Sequence, residues 1–165
     1  MRRIALIVYN VRSALNVGSM LRTADGLGIA RVYLCGYTPY PLSKDDGRLP
    51  HLAAKTDHQI SKTALGAQNS VKWTQCKDIG QVIKELKGQK YLIVAVEQTK
   101  TAIDLAKFKP TSDVALIVGS EIGGLPQKVL DLCDEHVHIP MLGKKESFNV
   151  SIAAAIALYQ LRTLA

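Results

Sequence analysis

The chain has 165 residues, 47% of them apolar, which is enough for one domain with its own core, and a formal charge of +7 from 21 Lys and Arg against 14 Asp and Glu. Its apolar runs, such as Tyr91–Val96 and Val114–Val118, are far too short to span a bilayer, and "MRRIALIVYN" lacks the apolar region and small-residue cleavage site of a secretory leader. The expectation is therefore a single cytoplasmic domain over residues 1–165, without a membrane association. The positive charge favours polyanionic partners through counterion release, although with only 5% aromatic residues there is no obvious platform for stacking bases.

The first apolar run, Ile4–Val8, reads as a strand, and Val17, Met20, Leu21 and Ala24 then repeat at helical spacing, with a stop near Gly26 or Gly28. A second strand is expected at Arg31–Cys35. From Gly36 to His58 the pattern lapses into a long Pro-, Gly- and charge-rich connection, which is either functional or a tolerated surface excursion. In "DIGQVIKELKG" the residues Ile79, Val82, Ile83 and Leu86 mark a helix, with Asp78 placed to cap its start and Gly88 its end. Further strands are expected at Tyr91–Val96, Val114–Val118 and His136–Ile139. Four of the five strand-length runs are dense in Val, Ile and Leu without alternation, as strands buried on both faces are. Strands alternating with helices imply an α/β fold: a mostly parallel sheet with helices on both faces.

The last helix is apolar on two sides. Val150, Ala153, Ala154, Ala157, Leu158 and Leu161 form one face, while Ile152, Ile156 and Tyr159 form another. One face can pack on the chain's own sheet. The other calls for a partner subunit, most simply by two-fold symmetry, or for burial under the long connection.

Three cysteines, Cys35, Cys76 and Cys133, odd in number and far apart, argue against a disulfide framework and against a cysteine-based zinc module. Reduced, mostly buried thiols are expected. Cys133, His136 and His138 together lack a fourth ligand for a tetrahedral site, so no metal is expected.

Ligands of open α/β sheets bind beyond the carboxyl ends of the strands, which directs attention to "NVRSALNVGSMLRTADGLG" and "LIVGSEIGGLP". Neither carries G-x-G-x-x-G, and the chain has no G-x-x-x-x-G-K-[ST] and no G-x-S-x-G, which counts against dinucleotide, nucleotide-hydrolysing and acyl-transfer chemistry. The junctions do offer polar side chains beside pliable backbone: Asn16 and Arg22, Glu121, and, near the C-terminus, Ser147 and Asn149. Singly, each has a structural explanation as a helix cap, a solvated helical residue or a carboxylate at a helix N-terminus.

Taken in order, however, "NVGSMLRTAD" (Asn16 to Asp25), "LIVGSEIGGL" (Leu116 to Leu125) and "IPMLGKKESFNVSIAAAIALY" (Ile139 to Tyr159) resemble the three motifs of the SpoU/TrmH branch of the SPOUT superfamily of RNA methyltransferases. The resemblance extends over roughly Ile4 to Leu161. It implies a C-terminal segment threaded as a deep trefoil knot, S-adenosylmethionine bound in that knot, a homodimer through the first and last helices, and methylation of ribose 2′-hydroxyls in tRNA or rRNA. It further implies that Ile139, Met141 and Phe148 read the adenine, that Gly119 lies against the cofactor, that Glu97 stands at its ribose, and that Ser147 and Asn149 shape the catalytic pocket.

Family mechanisms make the arginine of the first motif, here Arg22, the activator of the ribose hydroxyl. A guanidinium stays protonated in almost any protein setting, so binding a phosphate and stabilising the developing alkoxide suits it better than proton abstraction. Asn16 is expected to fix Arg22 or the sugar, and Glu121 the loop around both. Two departures stand out: Ile122 where many relatives have glycine, and Phe148 in place of the commoner leucine. The N-terminal RNA-binding extension of many relatives has no counterpart in the 165 residues. The alternatives are an RNA-binding or assembly protein of the same fold without turnover, and an α/β module for another nucleotide or a flavin.

Overall fold

The computed structural model describes residues 2–163. Seven strands, β1 (Ile4–Tyr9), β2 (Arg31–Cys35), β3 (Trp73–Cys76), β4 (Leu92–Val96), β5 (Ile103–Asp104), β6 (Val114–Val118) and β7 (Glu135–His138), form one sheet in the order β3, β2, β1, β6, β4, β7, β5. Every neighbouring pair is parallel. Six helices accompany them: α1 (Ala14–Gly26), α2 (Pro50–Ala64), α3 (Ala67–Ser70), α4 (Ile79–Gly88), α5 (Gln127–Leu130) and α6 (Val150–Thr163).

The central strands are apolar on both faces because both faces are covered. Ile4, Leu6 and Val8 of β1 join Val17, Met20 and Leu21 of α1 and Leu158 and Leu161 of α6 in one core layer. Ala5 and Ile7 point the other way, toward Val82, Ile83 and Leu86 of α4 and Val129 of α5. Each buried Val, Leu or Ile contributes about 1.5–3 kcal/mol over its exposed state, so the two layers dominate stability.

The strands read as dense apolar runs all form, within a residue of their expected limits. The two edge strands, β3 and β5, escape a hydrophobicity reading because WTQC is half-buried throughout and β5 is two residues long. The connection expected over Gly36 to His58 is shorter than it reads, since Pro50 opens the 15-residue α2. Proline tolerates a first helical turn, and only Ala53, Ile60 and Ala64 of this helix are buried, too sparse a pattern to stand out. Gly88 does not cap α4 either, being its last helical residue. The left-handed position falls on Lys90, φ 65°, where Tyr91 N–H bonds to Leu86 C=O and Lys90 N–H to Lys87 C=O, a Schellman ending. Helix α1 ends the same way with Gly28 in the left-handed role, φ 59°, and Ile29 N–H on Ala24 C=O.

Helix α6 returns over β1, β4 and β6 and packs on α1. Its seat is fastened at the end, where the Arg162 guanidinium donates to the carbonyls of Leu27 (2.9 Å), Arg2 (2.9 Å) and Gly28 (2.7 Å). Ser151, Ala154, Ala157, Leu158 and Leu161 are buried, with Val150 and Ala153 only half-buried. The opposite face, Ile152, Ile156 and Tyr159, is 50%, 37% and 60% exposed, so the chain's own loops do not cover it.

Candidate active site

Three turns leave the carboxyl ends of neighbouring strands and converge. After β4, Glu97 turns inward; its carboxylate accepts from Leu125 N–H (2.8 Å) and Gln98 N–H (3.1 Å). After β6, residues Gly119 to Leu125 fold back tightly, with Gly124 N–H on Ser120 C=O at 3.0 Å and Gly124 at φ 60°. A methyl group on Gly119 would stand 2.6 Å from the carbonyl carbon of Gly124, and one on Gly124 would stand 2.2 Å from Glu97 Oε2. Both glycines are thus demanded by the chain's own crossing, before any ligand is considered. After β7 the third turn, Ile139 to Phe148, is tied across the gap by Gln98 Nε2 donating to Glu146 C=O at 2.8 Å.

Between the turns lies a cavity of about 620 Å³. Glu97, Gly119, Glu121, Ile139, Met141, Ser147, Phe148 and Asn149 all line it, so eight residues singled out from separate stretches come together. Its walls mix apolar side chains, Val118, Met141, Phe148 and Ala153, with three glutamates, Glu97, Glu121 and Glu146, and loop backbone, the composition of a small-molecule site. A second hollow, which shares Gln98, His138, Ile139, Met141 and Glu146 with the first, is rimmed by Lys100, Lys144 and Lys145.

The remaining polar residues link the turns. Asn149 precedes α6, and its Oδ1 accepts from Ser151 N–H (2.9 Å) and Ser151 O–H (2.7 Å), which fixes the amide's orientation. The Asn149 amide then donates to Asn16 Oδ1 at 3.3 Å, and Asn16 Nδ2 donates to Glu121 Oε1 at 3.0 Å. Glu121 also accepts from Arg12 N–H (3.1 Å) and Ser13 N–H (3.3 Å) at the start of α1, where Ser13 caps the helix. Partial burial pushes the Glu121 carboxyl up, but these donors outweigh it and hold it below the ordinary carboxylate value. One chain of hydrogen bonds therefore joins the three quoted stretches. Ser151, a buried hydroxyl in the first turn of α6, belongs to it. A serine two residues beyond an asparagine that caps a helix is its only trace in the sequence.

Arg22 stands apart. It is exposed on α1, does not line the cavity, and makes no hydrogen bond or ion pair among the described residues. The expected contact with Asn16 is absent, because a side chain six positions along an α-helix points some 240° away and sits about 9 Å further along the axis. Asn16 is held by Glu121 and Asn149 instead.

His136 has both ring nitrogens engaged, Nδ1 with Thr99 Oγ1 and Nε2 with Leu130 C=O, each at 3.1 Å. Cys133 donates to Val129 C=O, and no group of three or more potential ligands gathers among the described residues.

The chain is 30% identical over 148 residues to the tRNA (guanosine(18)-2′-O)-methyltransferase of Escherichia coli strain K12, an alignment that takes in 88% of this chain and 56% of that protein. The chain thus spans little more than half the length of this curated relative. Among solved structures, the SpoU methyltransferase AviRb from Streptomyces viridochromogenes in complex with the cofactor AdoMet superposes with a TM-score of 0.79 at 23% identity, over 98% of this chain and 60% of that one. A chain solved for the 2-OH methylation of C/U34 on tRNA superposes with a TM-score of 0.78 at 21% identity, over 97% and 94%. The family model of the SpoU rRNA Methylase family matches residues 3–159, the whole sheet and all three turns around the cavity, and the chain belongs to that family.

Proposed function

We propose that this chain is an S-adenosylmethionine-dependent methyltransferase acting on ribose 2′-hydroxyls of tRNA or rRNA. The observation that carries the reading is the convergence of the turns after β4, β6 and β7 on one cavity, with Glu121 and Asn149 of its lining bridged by Asn16, which does not itself line it. The cavity fits the cofactor in size and in chemistry. About 620 Å³ lies within the ~300–1,000 Å³ of small-molecule sites. Backbone around Ile139, Met141 and Phe148 would hold the adenine in an apolar slot, Glu97 and Glu121 supply negative charge suited to a cationic ligand, and Ser147 stands exposed at the rim. When bound, S-adenosylmethionine supplies an electrophilic methyl group on a sulfonium.

The protein's part is positioning. The hydrogen-bonded chain from Ser151 through Asn149 and Asn16 to Glu121 keeps the entry to α6 and the entry to α1 in register with the β6 turn, so the cavity mouth is set before ligands arrive. Arg22 is the residue proposed to hold an RNA phosphate and stabilise the developing alkoxide as a fixed cation. Since it lies outside its own chain's cavity, it acts on this reading at a site completed by a second copy. The exposed apolar face of α6 supports a homodimer through α1 and α6, and the order in which β6, β4 and β7 are visited supports a knotted C-terminal segment. None of the helices among the described residues is long and apolar enough to cross a membrane; a cytoplasmic setting is part of the proposal.

The test is methyl transfer from labelled S-adenosylmethionine to total tRNA and rRNA, with nucleoside analysis of the product. Label should appear as 2′-O-methylribose, and Arg22→Ala and Arg22→Lys should lower turnover at least 100-fold, about 2.7 kcal/mol, while calorimetric cofactor affinity changes little. Cofactor binding with no methylated RNA would point to an RNA-binding protein without turnover, and label on a base would refute ribose chemistry.

A further inference from the structure

Two of the three cysteines, Cys35 and Cys76, do not line the cavity and play no part in the proposed transfer. Strands β2 and β3 pair in parallel with Cys35 directly opposite Cys76, and their sulfurs are 2.7 Å apart. Neighbouring strands are about 4.8 Å apart, inside the ~4.4–6.8 Å Cα separation that a disulfide spans. Bringing the sulfurs to the bonded distance of ~2.04 Å needs a closure of about 0.7 Å, within reach of small side-chain rotations.

From this geometry we propose that Cys35 and Cys76 are a reversible dithiol–disulfide site, oxidised by a hydroperoxide. The inference goes beyond the methyl-transfer reading and does not depend on it.

The pair is asymmetric. Cys35 is fully buried, whereas Cys76 is half-buried on β3, the edge strand, where a small oxidant can reach it. The close contact between the two sulfurs, in which either can donate, holds the Cys76 thiol below its ordinary value, and the same contact together with burial pushes Cys35 up. Cys76 is thus the attacking sulfur and Cys35 the resolving one. In the first step the Cys76 thiolate attacks one peroxide oxygen, the O–O bond breaks, and the departing oxygen leaves as water or alcohol after taking up a proton. Cys76 becomes a sulfenic acid, oxidised by two electrons. In the second, the sulfur of Cys35 attacks that of Cys76, an S–S bond replaces the S–O bond, and hydroxide leaves as water with the proton of Cys35. Two thiols and one hydroperoxide give one disulfide, one water, and one further water or alcohol. Cys133 is the internal contrast: burial pushes its thiol up to about 12, and its sulfur donates to Val129 C=O.

The experiment exposes the folded, reduced full chain to equimolar hydrogen peroxide, then alkylates it in denaturant for intact-mass measurement and peptide mapping. The expected product has lost two hydrogens, carries one alkyl group, on Cys133, and yields a peptide joining Cys35 to Cys76; dithiothreitol restores three alkylation sites. Cys35→Ser should lose the link and leave Cys76 trappable by dimedone, whereas Cys133→Ser should keep the link. Three alkyl groups on the peroxide-treated wild type, a link to Cys133, or a link between chains would each overturn the proposal. The wild-type measurement decides without the variants, so a substitution that fails to fold leaves the test intact.

Discussion

Gly18 lies where α1 crosses α2, and replacing it with alanine tests how the scaffold of the site is held. A Cβ there would stand 2.2 Å from Ile60 C=O and 2.2 Å from Thr63 Oγ1, and 3.0 Å from Ala64 N. Thr63 can rotate away only by giving up its hydrogen bond to Leu15 C=O (2.8 Å), and the Ile60 carbonyl is helix backbone, so α2 itself must retreat by about 1 Å or more to restore ordinary contact. Overpacking of this kind costs about 1–3 kcal/mol and the lost hydrogen bond about 1 kcal/mol, against a gain of about 1 kcal/mol from the better helix former. The net loss is about 1–3 kcal/mol, a fall in Tm of roughly 2–12 °C for a chain of this size. Gly26→Ala is the matched control: it sits in the same helix with nothing within 4 Å of an added Cβ, and should stabilise by about 0.4–1 kcal/mol. Urea and thermal unfolding of the two variants should therefore bracket the wild type. A Gly18→Ala protein as stable as Gly26→Ala would refute the close crossing of α1 and α2.

Two further predictions concern the site and the assembly. Glu121→Gln keeps an acceptor for the start of α1 but removes its charge, and should lower stability at pH 7 by about 0.3–1 kcal/mol. Because the Glu121 carboxyl is held below its ordinary value in the folded chain, its contribution is present above the unfolded value of about 4.3 and is lost as pH falls through the lower folded value. The gap between wild type and variant in urea midpoints should close below about pH 4, and a gap unchanged with pH would count against the proposed contact. Ile156→Asp places a charge on the exposed face of α6 and should halve the sedimentation mass while leaving the far-ultraviolet circular dichroism unchanged; a wild-type chain that already sediments as a monomer would rule out the dimer.

The central sheet was legible because burial on both faces leaves a composition that needs no context: Ile4–Val8 and Val114–Val118 can hardly be anything but inner strands. The start of α4 was legible for a similarly local reason, since Asp78 caps Gly80 N–H at 2.8 Å within two residues. The quoted stretches around Asn16, Glu121 and Asn149 were legible as a set through their resemblance to a family. What escaped was whatever depends on partners distant in the chain. Helix α2 hid because it buries only three side chains, strand β3 because it is an edge, and the end of α4 because a lysine took a left-handed position that a neighbouring glycine could have filled.

The same division holds at the cavity. Sequence alone named eight of the residues that line it, but could not say that Glu97 and Gly124 press on each other, that Asn16 turns to Glu121 and away from Arg22, or that Ser151 locks Asn149. It marked Cys35 and Cys76 as unrelated thiols, 41 residues apart. Local chemistry determines which segments are strands and helices, because apolar period and capping act over a few residues. Which side chains meet is decided by strand order and register, set by the free energy of the whole packed core, and only the tertiary structure carries that information.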